Sequence, residues 1–240
     1  MSTLGFCMVA GAVMLASCLQ ASIGFGIGML AAPVIALVDP RLIPGTLIMV
    51  AMLVTLIVAV REREDIDLHG TGWALVGRVP GTVAGALLLA MLPEQVLTLM
   101  LAGVVLVGVA LTSVGWIPAT RRRNVVLAGA TSGVLGTATS IGGPPMALVW
   151  QRNSGARLRG TMSGFFLVGS VMSIAALAVT GAIDWRTVWG FAALIPAAVA
   201  GYALSRRINR YLDPKRLRWL AIGASTLGAV VLIGRELLPI

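Results

Sequence analysis

The sequence predicts an all-α, polytopic integral membrane protein, a helical bundle of two inverted repeats. Each repeat is a broken or re-entrant hairpin plus three spans. Of the 240 residues, 58% are hydrophobic and only 11% are charged, whereas a soluble domain carries about 25% charged residues. The charges stand in short runs between apolar stretches of roughly 20 residues, the length that crosses a bilayer core. Nearly the same peptide also occurs twice, as Ala21-Ser22-Ile23-Gly24-Phe25-Gly26 and as Thr139-Ser140-Ile141-Gly142-Gly143-Pro144-Pro145.

In chain order, an interrupted apolar segment precedes three continuous spans, and then the same arrangement follows again. The interrupted segments are 3–38 and 125–151. The continuous spans are 42–60, 71–91, 95–115, 158–181, 185–205 and 216–235. Glycines and small polar residues interrupt a helix at membrane depth only where the backbone is buried in protein or lines a cavity. The two interruptions are therefore the first candidates for a functional site.

Several further peptides match between the halves, in the same order. The matching pairs are Pro33–Val38 with Pro145–Trp150, Arg41-Leu42 with Arg157-Leu158, Gly45-Thr46 with Gly160-Thr161, Ile66-Asp67 with Ile183-Asp184, and Pro80 and Gly85 with Pro196 and Gly201. A shared order at a near-constant offset indicates duplication. We assign 1–118 to the first membrane repeat and 119–240 to the second, within a single membrane domain.

The distribution of basic residues predicts how the chain crosses the membrane. If each interrupted segment crosses once, seven basic residues lie on one side and ten on the other. If each returns as a hairpin or crosses twice, the numbers become fourteen and three. Cytoplasmic loops carry the excess of Lys and Arg, so the second arrangement is favoured. It predicts a multi-pass protein of the cytoplasmic membrane with both termini outside the cytoplasm. It also explains the net charge of +9 by topology rather than by nucleic acid binding.

The interruptions have the chemistry of an anion site. A helix that restarts after each break presents N–H groups without intrahelical partners and a partial positive charge. The candidate substrate-binding residues are Gln20, Ser22, Gly24, Gly26, Thr139, Ser140, Gly142, Gly143 and Pro144. The hydroxyls and the amide add uncharged hydrogen-bonding groups, and the glycines allow the backbone to approach a ligand. The alternative is that the glycines only permit close helix packing.

Arg78 is the one charged residue well inside a predicted span. An arginine at membrane depth is by default a functional hypothesis, here an attraction for anions. The alternative is that its side chain extends to the nearby interface, because it lies about seven residues from the end of the span. The matching position in the second half, Leu194, is apolar, so the role is not duplicated.

The sequence offers no candidate residues for catalysis or for binding a metal ion. All nine acids lie in loops or at span ends, and none occurs between Glu94 and Asp184. With one histidine, His69, and two cysteines, Cys7 and Cys18, no metal cage can be assembled. We therefore expect no catalytic residue, metal or cofactor, and no proton relay through a buried carboxylate.

The sequence resembles the TauE/SafE family, also called the sulfite exporter or DUF81 family. The resemblance covers the whole chain and rests on the glycine-rich break in segment 3–38, on Gly136–Pro145 with its Gly-Gly-Pro-Pro, and on Ile183-Asp184-Trp185-Arg186. It implies transport of sulfite, sulfoacetate or another small organosulfonate or organic anion.

We therefore expect a secondary transporter or facilitator that exports a small anion across the cytoplasmic membrane. Its partners are the anion and the lipid bilayer, and assembly as a homo-oligomer is left open. The alternative is a non-transporting membrane assembly or anchoring protein, in which the glycine breaks serve packing alone.

Overall fold

The structure, a computed structural model, describes residues 2–114 and 119–208, together with 223, 226, 227, 229–231 and 234. In the two long ranges the chain is helical throughout, with short connections. The α-helices are α1 (Thr3–Ile23), α2 (Ile27–Val38), α3 (Gly45–Arg61), α4 (Leu68–Met91), α5 (Glu94–Val114), α6 (Arg122–Thr139), α7 (Gly143–Trp150), α8 (Gly155–Val179) and α9 (Trp185–Ile208). Single 3-10 turns occur at Pro40–Leu42 and Arg63–Asp65. The predicted span 216–235 lies outside the described residues except for a few isolated positions.

The helices confirm the prediction of an all-α membrane protein. Four of them are long and apolar enough to cross a membrane: α1, α4, α8 and α9. Shorter apolar helices lie at Ile27–Val38, Gly45–Arg61 and Gln95–Ala110. Both interrupted segments break where the sequence predicts, with α1 and α2 on either side of residues 24–26, and α6 and α7 on either side of residues 140–142.

Helices α4 and α6 pack side by side with almost no side chain between them. A Cβ added to Gly77 or Gly81 would collide with the carbonyl oxygen of Val126 or Ala130, respectively. Residues later in α4 contact residues later in α6, so the two helices run parallel. Small residues four apart allow helix backbones to approach closely in membranes. This packing fixes Arg78, which lies between the two glycines, against α6.

One end of the bundle gathers the segments around residues 62–73, 120–125 and 150–161. Glu62, which follows α3, pairs with Arg159 near the start of α8, with 2.7 Å between Oε1 and Nη2. The N–H of Asp67 donates to Thr161 Oγ1 over 3.0 Å. We call this end the basic end, because ten arginines lie in or beside these segments or at the end of α9: 61, 63, 121, 122, 123, 152, 157, 159, 206 and 207.

The two interrupted segments turn back on themselves. Arg122 at the start of α6 and Trp150 at the end of α7 line the same recess at the basic end, so α6 and α7 start and finish at one end of the bundle. The first segment is arranged the opposite way. Gly24, after α1, lies against the Cα of Arg159, whereas Asp39, after α2, shares a recess with Arg186 at the other end.

Contacts of the matched peptides are exchanged between the two halves. Thr46 donates through Oγ1 to the carbonyl oxygen of Thr187, over 3.0 Å, at the start of α9. Its counterpart Thr161 accepts from Asp67 at the start of α4. The matched aspartates also act alike, because Asp67 caps α4 and Asp184 caps α9, each through Oδ1 and a backbone N–H three residues on.

The side-chain and backbone hydrogen bonds from Thr187 lower the pKa of the Asp184 carboxyl.

Candidate functional site

At the first break, two glycines with positive φ and one buried amide side chain fix the path of the backbone. Gly24 and Gly26 have φ values of 89° and 120°, in the region that side chains disfavour. Gln20, 3% exposed, spans the break. Its Nε2 donates to the carbonyl oxygen of Gly24, and its Oε1 accepts from the N–H of Ile27, each over 3.2 Å. The break is therefore held in one shape while α2 begins beside it.

The second break is closed by hydroxyls. Ser140 has a φ of 64°, and its Oγ donates to the carbonyl oxygen of Pro44 over 3.1 Å. Thr139 Oγ1 donates to Leu135 O over 2.7 Å and accepts from the N–H of Ile141 over 3.3 Å. Helix α7 then starts at Gly143, with Pro144 in its first turn, where a missing N–H costs nothing.

The two breaks meet. A Cβ on Gly28 would collide with the carbonyl oxygen of Ser140, and one on Gly143 would lie 3.1 Å from the ring of Phe25. A cavity of about 40 Å³ lies at this junction. That volume holds about three water molecules or one compact oxyanion. It is lined by Gln20, Phe25, Gly26, Ile27, Gly28, Met29, Ile48, Ala51, Arg78, Gly136, Ser140, Ile141, Gly142, Gly143, Phe166 and Ser170.

Arg78 supplies a positive charge to this cavity. The residue is 3% exposed, so its side chain does not extend to the surface. Nη1 donates to Ser132 Oγ over 3.0 Å, and Ser132 in turn donates to the carbonyl oxygen of Gly142 over 2.7 Å. The guanidinium carbon lies 4.9 Å from the ring centroid of Phe165 and 5.8 Å from that of Phe166. Its Nε has no hydrogen-bond partner among the described residues.

Arg78 also has no acid beside it in the part of the chain that the structure describes, where the one ion pair joins Arg159 to Glu62. A buried charge without a counter-ion costs several kcal/mol. The N–H groups of Gly28, Met29 and Gly143 lie in the first turns of α2 and α7, where the helix itself supplies no acceptor. The cavity thus combines a fixed cation with helix N-termini, which together suit an anion.

Six predicted site residues line the cavity: Gln20, Gly26, Arg78, Ser140, Gly142 and Gly143. The other four lie near it but do not line it. Ser22 donates to Cys18 O within α1, and Gly24 packs on Met162 and Arg159. Thr139 bonds to its own segment, and Pro144 packs against Gly108. Their roles as binding residues stay predictions.

The sequence reasoning missed Ser132, Phe166 and Ser170. Ser132 and Gly136 share one face of α6, and Ser140, which caps the helix, follows at the same spacing, so this run of small residues was a usable signal. Ser170, likewise four residues after Phe166 on α8, gave a weaker one. The approach of α8 to Arg78 depends on tertiary packing, since a Cβ on Gly169 would collide with the guanidinium.

The described residues contain no group of three or more His, Cys, Asp or Glu side chains that could hold a metal ion.

One of the comparisons with known proteins identifies the family of the chain. Neither the curated proteins nor the solved structures contain a match to the chain. A family model described as sulfite exporter TauE/SafE matches residues 9–232, which is nearly the whole chain. The family consists of membrane transporters and not of enzymes. The chain therefore belongs to the TauE/SafE sulfite exporter family of membrane transporters.

Proposed function

We propose that this transporter carries sulfite, sulfoacetate or a similar small sulfur oxyanion, and that the anion binds in the central cavity where the two breaks meet. The observation that carries the proposal is Arg78, a buried guanidinium with an unpartnered Nε at the wall of that cavity. An oxyanion beside it supplies the missing counter-charge, and the N–H groups of Gly28 and Gly143 supply further donors. Family membership favours this function over a non-transporting assembly or anchoring protein.

The exchanged contacts support the two inverted repeats, 1–118 and 119–240. In a two-fold arrangement a contact between one residue and a partner in the other half recurs with the roles reversed. Gly45 beside Ile183 and its counterpart Gly160 beside Ile66 form such a pair. Next to them, Thr46 bonds near the start of α9 and Thr161 near the start of α4. Inverted repeats hold their substrate at the interface between the halves, which is where this cavity lies.

The grouping of arginines supports an orientation in which the basic end faces the cytoplasm and both termini lie outside it. The test places single cysteines at Thr120 and at Leu92, at opposite ends of the bundle, in a background in which Cys7 and Cys18 are replaced by serine. Impermeant maleimide applied to whole cells should label position 92 and spare position 120. Labelling of both positions, or of 120 alone, contradicts the orientation.

Export follows from the charge of the substrate. An anion that leaves a cell with a negative interior gains about 2.3 kcal/mol per charge per 100 mV. No acid among the described residues lines the central cavity, and Glu62, which is buried at the basic end, is paired with Arg159, so no carboxylate beside the anion site is available to carry a proton. Efflux from liposomes should therefore accelerate when the interior is made negative with valinomycin and potassium. It should also persist when both faces are held at one pH.

The test of the site is transport of radiolabelled sulfite by purified protein in liposomes. Arg78→Gln removes the charge from the cavity wall and should reduce transport to the level of empty liposomes. Arg61→Gln removes one charge from an exposed position and serves as the matched control. Normal transport by Arg78→Gln would show that the anion does not depend on this cavity.

A further inference from the structure

A second cavity, of about 450 Å³, opens at the basic end. The first turns of α4 and α6 and the loop between α7 and α8 form it. Two arginines line it, Arg122 at the start of α6 and Arg157 at the start of α8, and Asn153 lies between them in the sequence. We call this cavity the basic recess. It is far larger than the central cavity, and charged and amide groups line it.

An aromatic ring orients Arg122 in the basic recess, and no described acid neutralises either arginine there. The guanidinium carbon of Arg122 lies 5.0 Å from the ring centroid of Trp73, and the indole N–H of Trp73 donates to His69 Nε2 over 3.3 Å. Stacking on a ring occupies one face of a guanidinium and leaves its N–H edge for an oxyanion. Neither Arg122 nor Arg157 has an acid within ion-pair distance among the described residues.

Among the described residues, Asp67 is the one acid that lines the basic recess. Its carboxylate accepts from the N–H of Gly70 over 3.0 Å and caps α4, so the partial positive charge of that helix end lies next to it. Two arginines against one aspartate leave the recess with a net positive charge. A concave surface of one sign concentrates ions of the other sign.

A row of aromatic rings separates the basic recess from the central cavity. Trp150 lines the recess and is 3% exposed. Its ring packs edge-on against Phe165, with centroids 5.8 Å apart, and Phe165 packs against Phe166 over 5.2 Å. Phe166 lines the central cavity. Arg78 lies over both phenylalanines, so the charge of the central cavity stands at the inner end of this row.

We propose that the basic recess is a second anion-binding site, a vestibule that captures the oxyanion before it passes the Trp150–Phe165–Phe166 barrier to the central cavity. The proposal rests on the central site proposed above. Arg122 and Arg157 are the ligands of the vestibule, and Asn153 adds an amide donor. In the described conformation the barrier is closed, and passage requires the rings of Phe165 and Phe166 to turn away from Trp150.

The test is equilibrium binding of radiolabelled sulfite to purified protein in nanodiscs of zwitterionic lipid. We expect two sites per chain. The double variant Arg122→Gln/Arg157→Gln should lose one site, Arg78→Gln should lose the other, and the combination should lose both. The control Arg61→Gln/Arg123→Gln carries the same change of charge on exposed positions that line neither cavity, and it should keep two sites.

Each outcome separates the two proposals. If Arg122→Gln/Arg157→Gln binds as the wild-type protein does, the vestibule does not exist. If Arg78→Gln binds as the wild-type protein does, the central site is wrong while the vestibule stands. If anionic lipid displaces sulfite from the vestibule at trace levels, the recess is a site for lipid phosphate instead, and this proposal fails.

A flux measurement covers the case in which the double variant is poorly folded. Electrostatic capture raises association rates by about tenfold or more and weakens with salt. Transport that starts from the basic end should therefore lose about tenfold in kcat/KM when Arg157 alone becomes Gln, with kcat unchanged. An unchanged kcat/KM, with the wild-type dependence on salt, refutes the vestibule.

Discussion

Replacement of Arg78 by methionine should abolish sulfite binding in the central cavity without unfolding the protein. Arginine at this position loses its hydration on folding, and a buried uncompensated ion costs several kcal/mol. The substitution removes the charged hydrogen bond to Ser132, which contributes about 1.5–3 kcal/mol. It also removes the contacts with Phe165 and Phe166, which contribute about 2 kcal/mol when desolvated.

These contributions nearly cancel, and methionine fills a similar volume with apolar atoms. Replacing buried ionic groups by well-packed apolar ones is commonly neutral or stabilising by about 1–4 kcal/mol. We therefore expect Arg78→Met to melt at the temperature of the wild-type protein or slightly above it when no anion is present. A residue kept for binding rather than for stability behaves in this way.

The assay is thermal unfolding in detergent with and without sulfite. A ligand at a hundred times its Kd stabilises the folded state by about 2.7 kcal/mol. The wild-type protein should show that gain. Arg78→Met should lose it, apart from any gain that a second site contributes. The matched control, Arg61→Met, changes an exposed arginine and should keep the full gain.

Two results would contradict this role of Arg78. If Arg78→Met unfolds several kcal/mol more easily than the wild-type protein without sulfite, the arginine is a structural residue. If the variant keeps the full gain from sulfite, the anion does not bind beside this guanidinium.

Two further predictions concern the junction of the breaks and the basic end. Gly28→Ala places a methyl group against the carbonyl oxygen of Ser140 and should destabilise the fold by about 1–3 kcal/mol. The control Gly11→Ala, where no atom lies near the added Cβ, should leave stability unchanged. Equal melting temperatures of the two variants would contradict the close approach of Gly28 to Ser140. Glu62→Gln leaves Arg159 unpaired and should cost about 2 kcal/mol, below the 3–5 kcal/mol of a fully buried pair because Arg159 is 22% exposed. In a double-mutant cycle, the loss for Glu62→Gln/Arg159→Gln should be clearly smaller than the sum of the single losses, and strict additivity would show that the pair does not interact.

Much of the fold could be predicted because a bilayer restricts the solutions. Spans must be about 20 apolar residues long, and a break must be buried, so 3–38 and 125–151 were recognisable as interrupted. The signal of the duplicated Ser-Ile-Gly peptide was local, and the structure brings both copies to one junction. The partition of arginines predicted which loops share an end, and the contacts of Glu62 with Arg159 agree with it.

The side chains of the site were less predictable. From the sequence alone, the side chain of Arg78 could extend to the interface or face inward. The residues that hold it, Ser132 and Phe165, lie 54 and 87 positions away in the sequence. Ser22 and Thr139 have the composition of binding residues, but a hydroxyl next to a helix end satisfies the nearest backbone group first. The aromatic row from Trp150 to Phe166 gave no signal, because aromatic residues in apolar helices are ordinary core.

An experimental structure with selenite, the heavier analogue of sulfite, tests directly whether the anion binds beside Arg78, because the anomalous scattering of selenium locates the bound ion. We expect a selenium peak in the cavity between the breaks, within about 4 Å of the Arg78 guanidinium, the distance of a charged contact. It should also lie near the N–H groups of Gly28 and Gly143. A selenium peak elsewhere in the bundle, with none beside Arg78, would contradict it.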